Sequence, residues 1–374
     1  MTIGVLKEPN NEKRVSLLPE HIIALKKQQV NVVIEKSAGE NAFAADAQYE
    51  AAGATVGLRN NVLQSADIIL SIHALTENDI ANCKARILFG FYQPLFDAAN
   101  IKTLAEKNFT IFSIDMLPRT TRAQSMDVLS SQANIAGYKA VLLAANLYPK
   151  YFPMFMTAAG SIPPAKMLIL GAGVAGLQAI ATAKRLGAVV EVFDTRPQVK
   201  EEVMSLGAKF VEVEGAADAA KAGGYAVEQS AEFMVRQKER IAESVAKADI
   251  IITTAAIPGK KAPVLITEEM IASMKNGSVI IDLAASTGGN TAYTKNDETV
   301  VVNGVSIVGN SALPADMPSD ASKLYGKNIL NFLQLIINKE GAINLNFEDD
   351  LVKGTCVAHG GVITNERVEA SLKV

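Results

Sequence analysis

Short apolar runs separated by longer amphipathic segments recur from the first residues onward. Runs at 2–6, 30–35, 67–72, 86–91 and 109–114 have strand length, and helix-like stretches such as 19–28 and 100–107 lie between them. Alternation of strand and helix at this spacing predicts a parallel sheet with helices on its faces. A second series follows Pro163-Pro164, with runs at 166–170, 189–193, 209–213, 249–254, 278–283 and 305–308. Between the two series, 124–147 reads as one long helix rich in Ala, Leu and Ser, and another helix covers about 321–338. The pattern predicts two α/β domains, 1–130 plus 321–374 and 131–320, with the C-terminal tail returning to the first.

Composition narrows the classes of function. At 374 residues, 49% hydrophobic and 20% charged, the chain can bury two cores and is not disordered. The 36 basic and 39 acidic side chains leave a net charge of -3, which offers no electrostatic footprint for nucleic acid. No apolar stretch reaches the roughly 18 residues a membrane span needs. Charge arrives at Lys7-Glu8, too early for a secretory signal. Cys83 and Cys356 match no metal or redox spacing, and a reducing, cytoplasmic setting fits best. Of the histidines His21, His73 and His359, the first is expected on a solvent face and the other two in structural roles.

The sharpest local signal is Gly171-Ala172-Gly173-Val174-Ala175-Gly176, directly after the apolar run 167–170 and opening a helix-like stretch. Gly171 permits a tight turn, Gly173 lets backbone approach a pyrophosphate, and Gly176 lets helix and strand pack closely. The helix start at Val174 and Ala175 then presents unpaired N–H groups to the anion. The next run ends in Asp194-Thr195-Arg196, a spacing at which Asp194 can accept both adenosine-ribose hydroxyls. A carboxylate there favours NAD over NADP, although Arg196 is a residue type that can receive a phosphate. The fold expected is therefore α/β, two Rossmann-like domains with parallel sheets, joined by long helices. A tight bend and a solvent-facing aspartate in an ordinary α/β domain would carry the same residues.

The segment 116–138, with Arg119-Thr120-Thr121-Arg122-Ala123-Gln124-Ser125-Met126-Asp127 at its centre, is distinctive. It resembles the loop and helix of the NAD(H)-binding component of proton-translocating nicotinamide nucleotide transhydrogenase. Residues 156–166, 171–186, Gly223-Gly224-Tyr225-Ala226, 253–260 and 277–284 extend the likeness in order, and it thins after about Phe347. The resemblance implies that Arg119 and Asp127 hold the nicotinamide carboxamide, with Ser130 assisting. Gln124 would reach toward the second nucleotide, and Tyr225 would lie on a loop closing over NAD(H). Taken singly, Asp127 and Ser130 could equally cap a helix and Arg119 could pair with a surface acid.

Alanine dehydrogenase looks similar in both domains and shares the glycine turn. Its chemistry needs a lysine, a histidine and an acid around the substrate. Here His73 stands near the place of the lysine, Phe91-Tyr92-Gln93-Pro94 holds no histidine, and Ser286 appears where the acid would fall. The early arginine is retained as Arg14, read as a vestige or an ion-pair member. Hydride passing directly between two nicotinamide rings needs no general acid or base; it needs approach to roughly 3–3.5 Å and exclusion of water.

By resemblance, then, the chain is expected to be the NAD(H)-binding subunit of a transhydrogenase of the Si-specific/Re-specific proton-translocating type. It would form a homodimer, dock on components that bind NADP(H) and span the membrane, and lie peripherally on the inner face of that membrane. An alanine-type amino-acid dehydrogenase and a non-catalytic NAD(H)-binding module remain open at this point.

Overall fold

The computed structural model describes residues 1–9, 11–213 and 230–372. The chain divides into two compact units, Met1–Gln132 with Ala315–Val374, and Ala133–Pro314. In the first unit the strands follow the apolar runs: β1 (Thr2–Val5), β2 (Asn31–Glu35), β3 (Thr55–Gly57), β4 (Ile68–Ser71), β5 (Ile87–Gly90) and β6 (Thr110–Ser113). The second unit opens with the hairpin β7 (Phe155–Thr157) and β8 (Gly160–Ile162). It continues with β9 (Lys166–Leu170), β10 (Val189–Phe193), β11 (Lys209–Phe210), β12 (Ile250–Thr253), β13 (Val279–Asp282), β14 (Glu298–Val302) and β15 (Val305–Gly309). The tail adds β16 (Cys356–His359) and β17 (Val362–Ile363) to the first unit.

The first sheet has the order β17-β16-β6-β5-β4-β1-β2-β3, and the second β11-β10-β9-β12-β13-β15-β14. In each, the six parallel strands follow the doubly wound order 3-2-1-4-5-6. Such sheets place ligands at the point where strand order reverses, here between β1 and β4 and between β9 and β12. Both faces of each sheet are covered, which is why the strands read as continuous apolar runs. In β4, Ile68 and Leu70 join one core cluster and Ile69 the other; in β12, Ile250 and Ile252 oppose Ile251 in the same way.

The structure departs from the sequence expectation in several places. One edge of each sheet is antiparallel: β14 pairs with β15, β16 with β6, and β17 with β16. The long helix starts at Val128, not at 124, because 121–126 coil into a tighter 3-10 turn and Asp127 caps the helix proper. Gly160 at a φ of +133° closes the exposed hairpin β7–β8, which the apolar pattern does not announce. Finally, His21 is buried rather than solvent-facing. Its Nδ1 accepts the Leu18 N–H at 2.9 Å, and it packs on the helix Pro318–Ile336 where Gly326 leaves room. A Cβ at Gly326 would sit 2.5 Å from the ring. Among the described residues no helix is long and apolar enough to cross a membrane.

Candidate functional site

The glycine turn sits at the reversal point of the second sheet, and each glycine has its own constraint. Gly171 takes a φ of +105°, and a Cβ there would lie 2.3 Å from Thr254 Oγ1. Gly176 faces the Gly171 carbonyl so closely that a Cβ would come within 1.9 Å of its oxygen. Gly173, by contrast, has nothing within 4 Å of where its Cβ would be, so the backbone is open to a ligand. Gly173 is the N-cap of the helix Val174–Arg185 and offers no side chain to satisfy the first N–H groups. Open backbone with unsatisfied donors at Val174 and Ala175 is what a pyrophosphate requires, so the residues fit a dinucleotide. The long helix Val128–Leu147 touches this turn through Gly137, whose Cβ would stand 2.1 Å from the Ala175 carbonyl oxygen.

The opposite wall of the reversal point is the loop after β12. Thr254 Oγ1 donates to the carbonyls of Leu170 and Gly171, each at 3.3 Å. Asn290 fixes that loop: its Nδ2 donates to the Ala255 and Pro263 carbonyls at 2.8 and 2.9 Å, and its Oδ1 accepts the Ala255 N–H at 3.1 Å. The buried Asp282 accepts from Asn290 N at 2.6 Å and Thr294 Oγ1 at 2.6 Å. Sequence reasoning misses this brace. Its only local signal is Gly288-Gly289-Asn290 shortly after a strand ending in Asp282.

At the end of β10, Asp194 accepts the Ala172 N–H from the glycine turn at 2.7 Å. It also accepts the Arg196 N–H at 2.8 Å and the Arg196 guanidinium, Nε at 2.9 Å and Nη2 at 2.8 Å. That carboxylate holds the guanidinium proton more tightly than usual. Half-buried Thr195 lies beside Asp194 in a shallow depression shared with Pro197, Lys200 and Phe210.

The other site residues named from the sequence belong to the first unit. Arg119 and Gln124 are exposed, Gln124 within the 3-10 turn Thr121–Met126. Asp127 and Ser130 are brought together: Asp127 Oδ1 accepts the Ser130 N–H at 2.9 Å, and Ser130 Oγ donates to Oδ2 at 2.6 Å. Tyr225, with Gly223-Gly224, lies outside the described residues. Among the described residues no cluster of acids, histidines or cysteines is arranged to hold a metal.

Two family models match consecutive stretches: "Alanine dehydrogenase/PNT, N-terminal domain" over residues 4–136 and "Alanine dehydrogenase/PNT, C-terminal domain" over 140–366. The chain belongs to the alanine dehydrogenase/PNT family. It is 44% identical to the Rhodospirillum rubrum chain that forms the first portion of an NAD(P) transhydrogenase subunit alpha, covering 98% of each. It is likewise 44% identical to the NAD(P) transhydrogenase subunit alpha of Haemophilus influenzae, over 96% of this chain and 71% of that one. A Staphylococcus haemolyticus alanine dehydrogenase is 26% identical over 91% of this chain and 88% of its own. The solved structure of a transhydrogenase from Sinorhizobium meliloti superposes with a TM-score of 0.88 at 44% identity, covering 97% of this chain and all of that one. An L-alanine dehydrogenase shares the fold with a TM-score of 0.82 at 23% identity. This chain therefore stands with the transhydrogenase alpha chains of the family.

In the alanine dehydrogenase/PNT fold of this chain, the reversal point of the first sheet is filled differently from that of the second. No glycine turn follows β1. Instead Glu8 is buried and accepts the N–H groups of Ile72 and His73 beyond β4, at 2.6 and 3.1 Å. Burial pushes its carboxyl up to about 7 despite those two bonds. Nearby, Glu12 takes Arg14 bidentately, through Nε at 2.8 Å and Nη2 at 2.6 Å, and lies 3.2 Å from His73 Nε2. Burial alone would raise Glu12, but Arg14 and His73 hold it down at about 2. Gln132 accepts the remaining Arg14 Nη1 contact at 2.8 Å. The retained arginine is thus a member of an ion-pair network, one of the two readings the sequence allows. The Glu8 side chain and the Glu12–Arg14 ion pair occupy this crevice in place of a glycine turn with open backbone N–H groups, so of the two crevices the second is suited to a dinucleotide.

Proposed function

We propose that this chain is the NAD(H)-binding subunit of a proton-translocating transhydrogenase, passing hydride from NADH to NADP⁺ held on a partner component. The observation that carries the reading is an open glycine turn in a chain that lacks a proton-transfer set at the positions where an amino-acid dehydrogenase would need one. His73 is engaged with Glu12, and Gln93 and Ser286 are exposed neutral side chains at the matched positions. Sequence identity of 44% to transhydrogenase alpha chains, against 26% to an alanine dehydrogenase, supports the same choice.

Bound NAD(H) would supply the transferable hydride. The residues of this chain bind and orient it. The N–H groups at 173–175 receive the pyrophosphate, and Asp194, with Thr195 and Arg196 beside it, receives the adenosine ribose. Arg119 and Asp127 hold the carboxamide, with Ser130 fixing the Asp127 carboxylate through its short bond. Gln124, exposed, reaches toward the NADP(H) side.

The quaternary reading is a homodimer attached to an NADP(H)-binding component and a membrane-spanning component, at the inner face of the membrane. The hairpin β7–β8 supports a second copy as one partner. Tyr151, Met154, Phe155, Met156 and Ile162 are all exposed on and beside it, and Tyr151 stacks on Phe155 with ring centroids 5.0 Å apart. An apolar hairpin of this kind is a surface that calls for a cover.

The deciding experiment mixes the purified chain with an NADP-binding transhydrogenase component and follows electron exchange between NADH and an NADP⁺ analogue. Exchange that depends on both components supports the reading. NADH oxidation with pyruvate and ammonia alone would replace it with an amino-acid dehydrogenase. Nucleotide binding without exchange would leave a binding module.

A further inference from the structure

Asp194 has no acceptor capacity to spare. A carboxylate offers about four lone-pair directions, and in this structure four donors meet the two oxygens of Asp194. Oδ1 receives Arg196 N at 2.8 Å and Arg196 Nε at 2.9 Å; Oδ2 receives Ala172 N at 2.7 Å and Arg196 Nη2 at 2.8 Å. The ion pair is also largely out of water, with side chains 6% exposed for Asp194 and 16% for Arg196. A ribose diol that uses both oxygens therefore has to displace something. Two of the four donors are backbone groups. Ala172 belongs to the tight turn, and the Arg196 N–H is held two residues beyond Asp194. Of these four, only the two guanidinium bonds can be given up by side-chain rotation.

We infer that Arg196 is a built-in competitor for the adenosine ribose, so that NAD(H) entry is an exchange in which the ribose hydroxyls replace the guanidinium on Asp194. The inference rests on the reading of the glycine turn and Asp194 as the NAD(H) site. Its physical sense is that a carboxylate this deep is costly to leave unpaired. Arg196 keeps Asp194 satisfied when no nucleotide is present. The same bonds are subtracted from the binding free energy when one arrives. Affinity is thereby held down without loss of ribose recognition, which suits a subunit that must release one redox form and take up the other in each turnover. The guanidinium also sets selectivity. Beside Asp194 it offsets part of the repulsion between that carboxylate and a 2′-phosphate, so removing it sharpens discrimination against NADPH.

The test is titration of the full chain with NADH, with its 2′-deoxyadenosine analogue and with NADPH, followed by nucleotide fluorescence. The proteins are wild type, Arg196→Ala, Arg196→Lys, Asp194→Asn and the Asp194→Asn/Arg196→Ala double variant. Arg196→Ala is expected to bind NADH at least threefold tighter, with little gain for the deoxy analogue and a wider NADH-to-NADPH ratio. Arg196→Lys should fall between, and the gain should vanish in the Asp194→Asn background. A gain below threefold, a loss of NADH affinity, or an equal gain for the deoxy analogue overturns the inference. Should Arg196→Ala not fold, the Arg196→Lys titration and a crystal of wild type with NADH decide. A guanidinium still bidentate on Asp194 beside bound ribose overturns it. Failure of wild type to bind NADH at all would instead sink the assignment of the site.

Discussion

Ser130 clasps Asp127 twice, its N–H on Oδ1 at 2.9 Å and its hydroxyl on Oδ2 at 2.6 Å. The first bond is an N-cap on the helix Val128–Leu147, so Asp127 has a structural duty whatever else it does. The second orients the carboxylate. Asp127→Ala should cost about 1 kcal/mol of stability, the usual worth of a cap. Ser130→Ala keeps the backbone bond and should cost less. If both residues also serve the nicotinamide, both variants weaken NADH binding. Urea denaturation alongside NADH titration separates the two effects, and Ser130→Ala with unchanged affinity would assign Ser130 to the helix alone.

The glycines of the turn should separate stability from binding. Gly173→Ala places a Cβ in open space and should change stability by less than about 0.5 kcal/mol while weakening NADH binding. Gly176→Ala drives a Cβ to 1.9 Å from the Gly171 carbonyl oxygen and should destabilise by about 1–3 kcal/mol or more. Thermal unfolding and NADH affinity measured on both variants check the split. Equal stability losses would mean that Gly173 is a packing residue.

Glu8 should make stability fall as pH rises. Its folded carboxyl titrates near 7 against an ordinary 4.5, so between those values the folded chain holds a proton that the unfolded chain has released. Stability from this group is complete below about 4.5 and is lost as pH climbs through 7. Over pH 5 to 8 the loss is on the order of 2–3 kcal/mol. The difference between wild type and Glu8→Gln isolates that share, since His73, raised by its bond to Glu12, drifts in the same direction. Denaturation midpoints that run parallel for the two proteins from pH 5 to 8 would show that Glu8 is not the source.

Gln124 is exposed on a 3-10 turn and caps nothing in its own helix. Gln124→Asn should leave the fold intact and NADH affinity within about twofold, a change under 0.5 kcal/mol. Hydride transfer in the reconstituted complex should slow by tenfold or more, because a shortened side chain misplaces what it touches. Stopped-flow transfer rates set against NADH titration decide. Equal losses in both would make Gln124 a binding residue of this chain only.

The strands that form the two sheet centres can be read from the sequence because a strand covered on both faces is a run of apolar residues with turn signals at its ends. Strands such as β3 and β17 escape for the complementary reason: they are short, partly exposed pieces at sheet margins with no long apolar run. β14 differs, since Val300–Val302 is an apolar run joined to the next by an Asn303-Gly304 turn, so that hairpin is legible in the sequence. The burial of His21 is hidden because helical periodicity shows which face is apolar but not where a neighbouring helix carries a glycine; Gly326 makes the room. In the site, the glycine turn is legible because each of its constraints is local. The Asn290 brace is not, since it ties β13 to the loop after β12 through contacts far apart in the chain. Nor is the saturation of Asp194, which depends on where one flexible arginine folds back.

The first unit is assembled from both ends of the chain: β16, made near the end, zips onto β6 from the opening third. During synthesis the amino-terminal portion emerges with that margin of β6 bare, and it must wait while the whole intervening unit is translated. At ordinary ribosomal speed the wait is roughly 10–40 s. The second unit, contiguous in sequence, has every one of its strands available before its neighbour can close. Birth order in this molecule is therefore inverted: the portion translated first is the last to be completed.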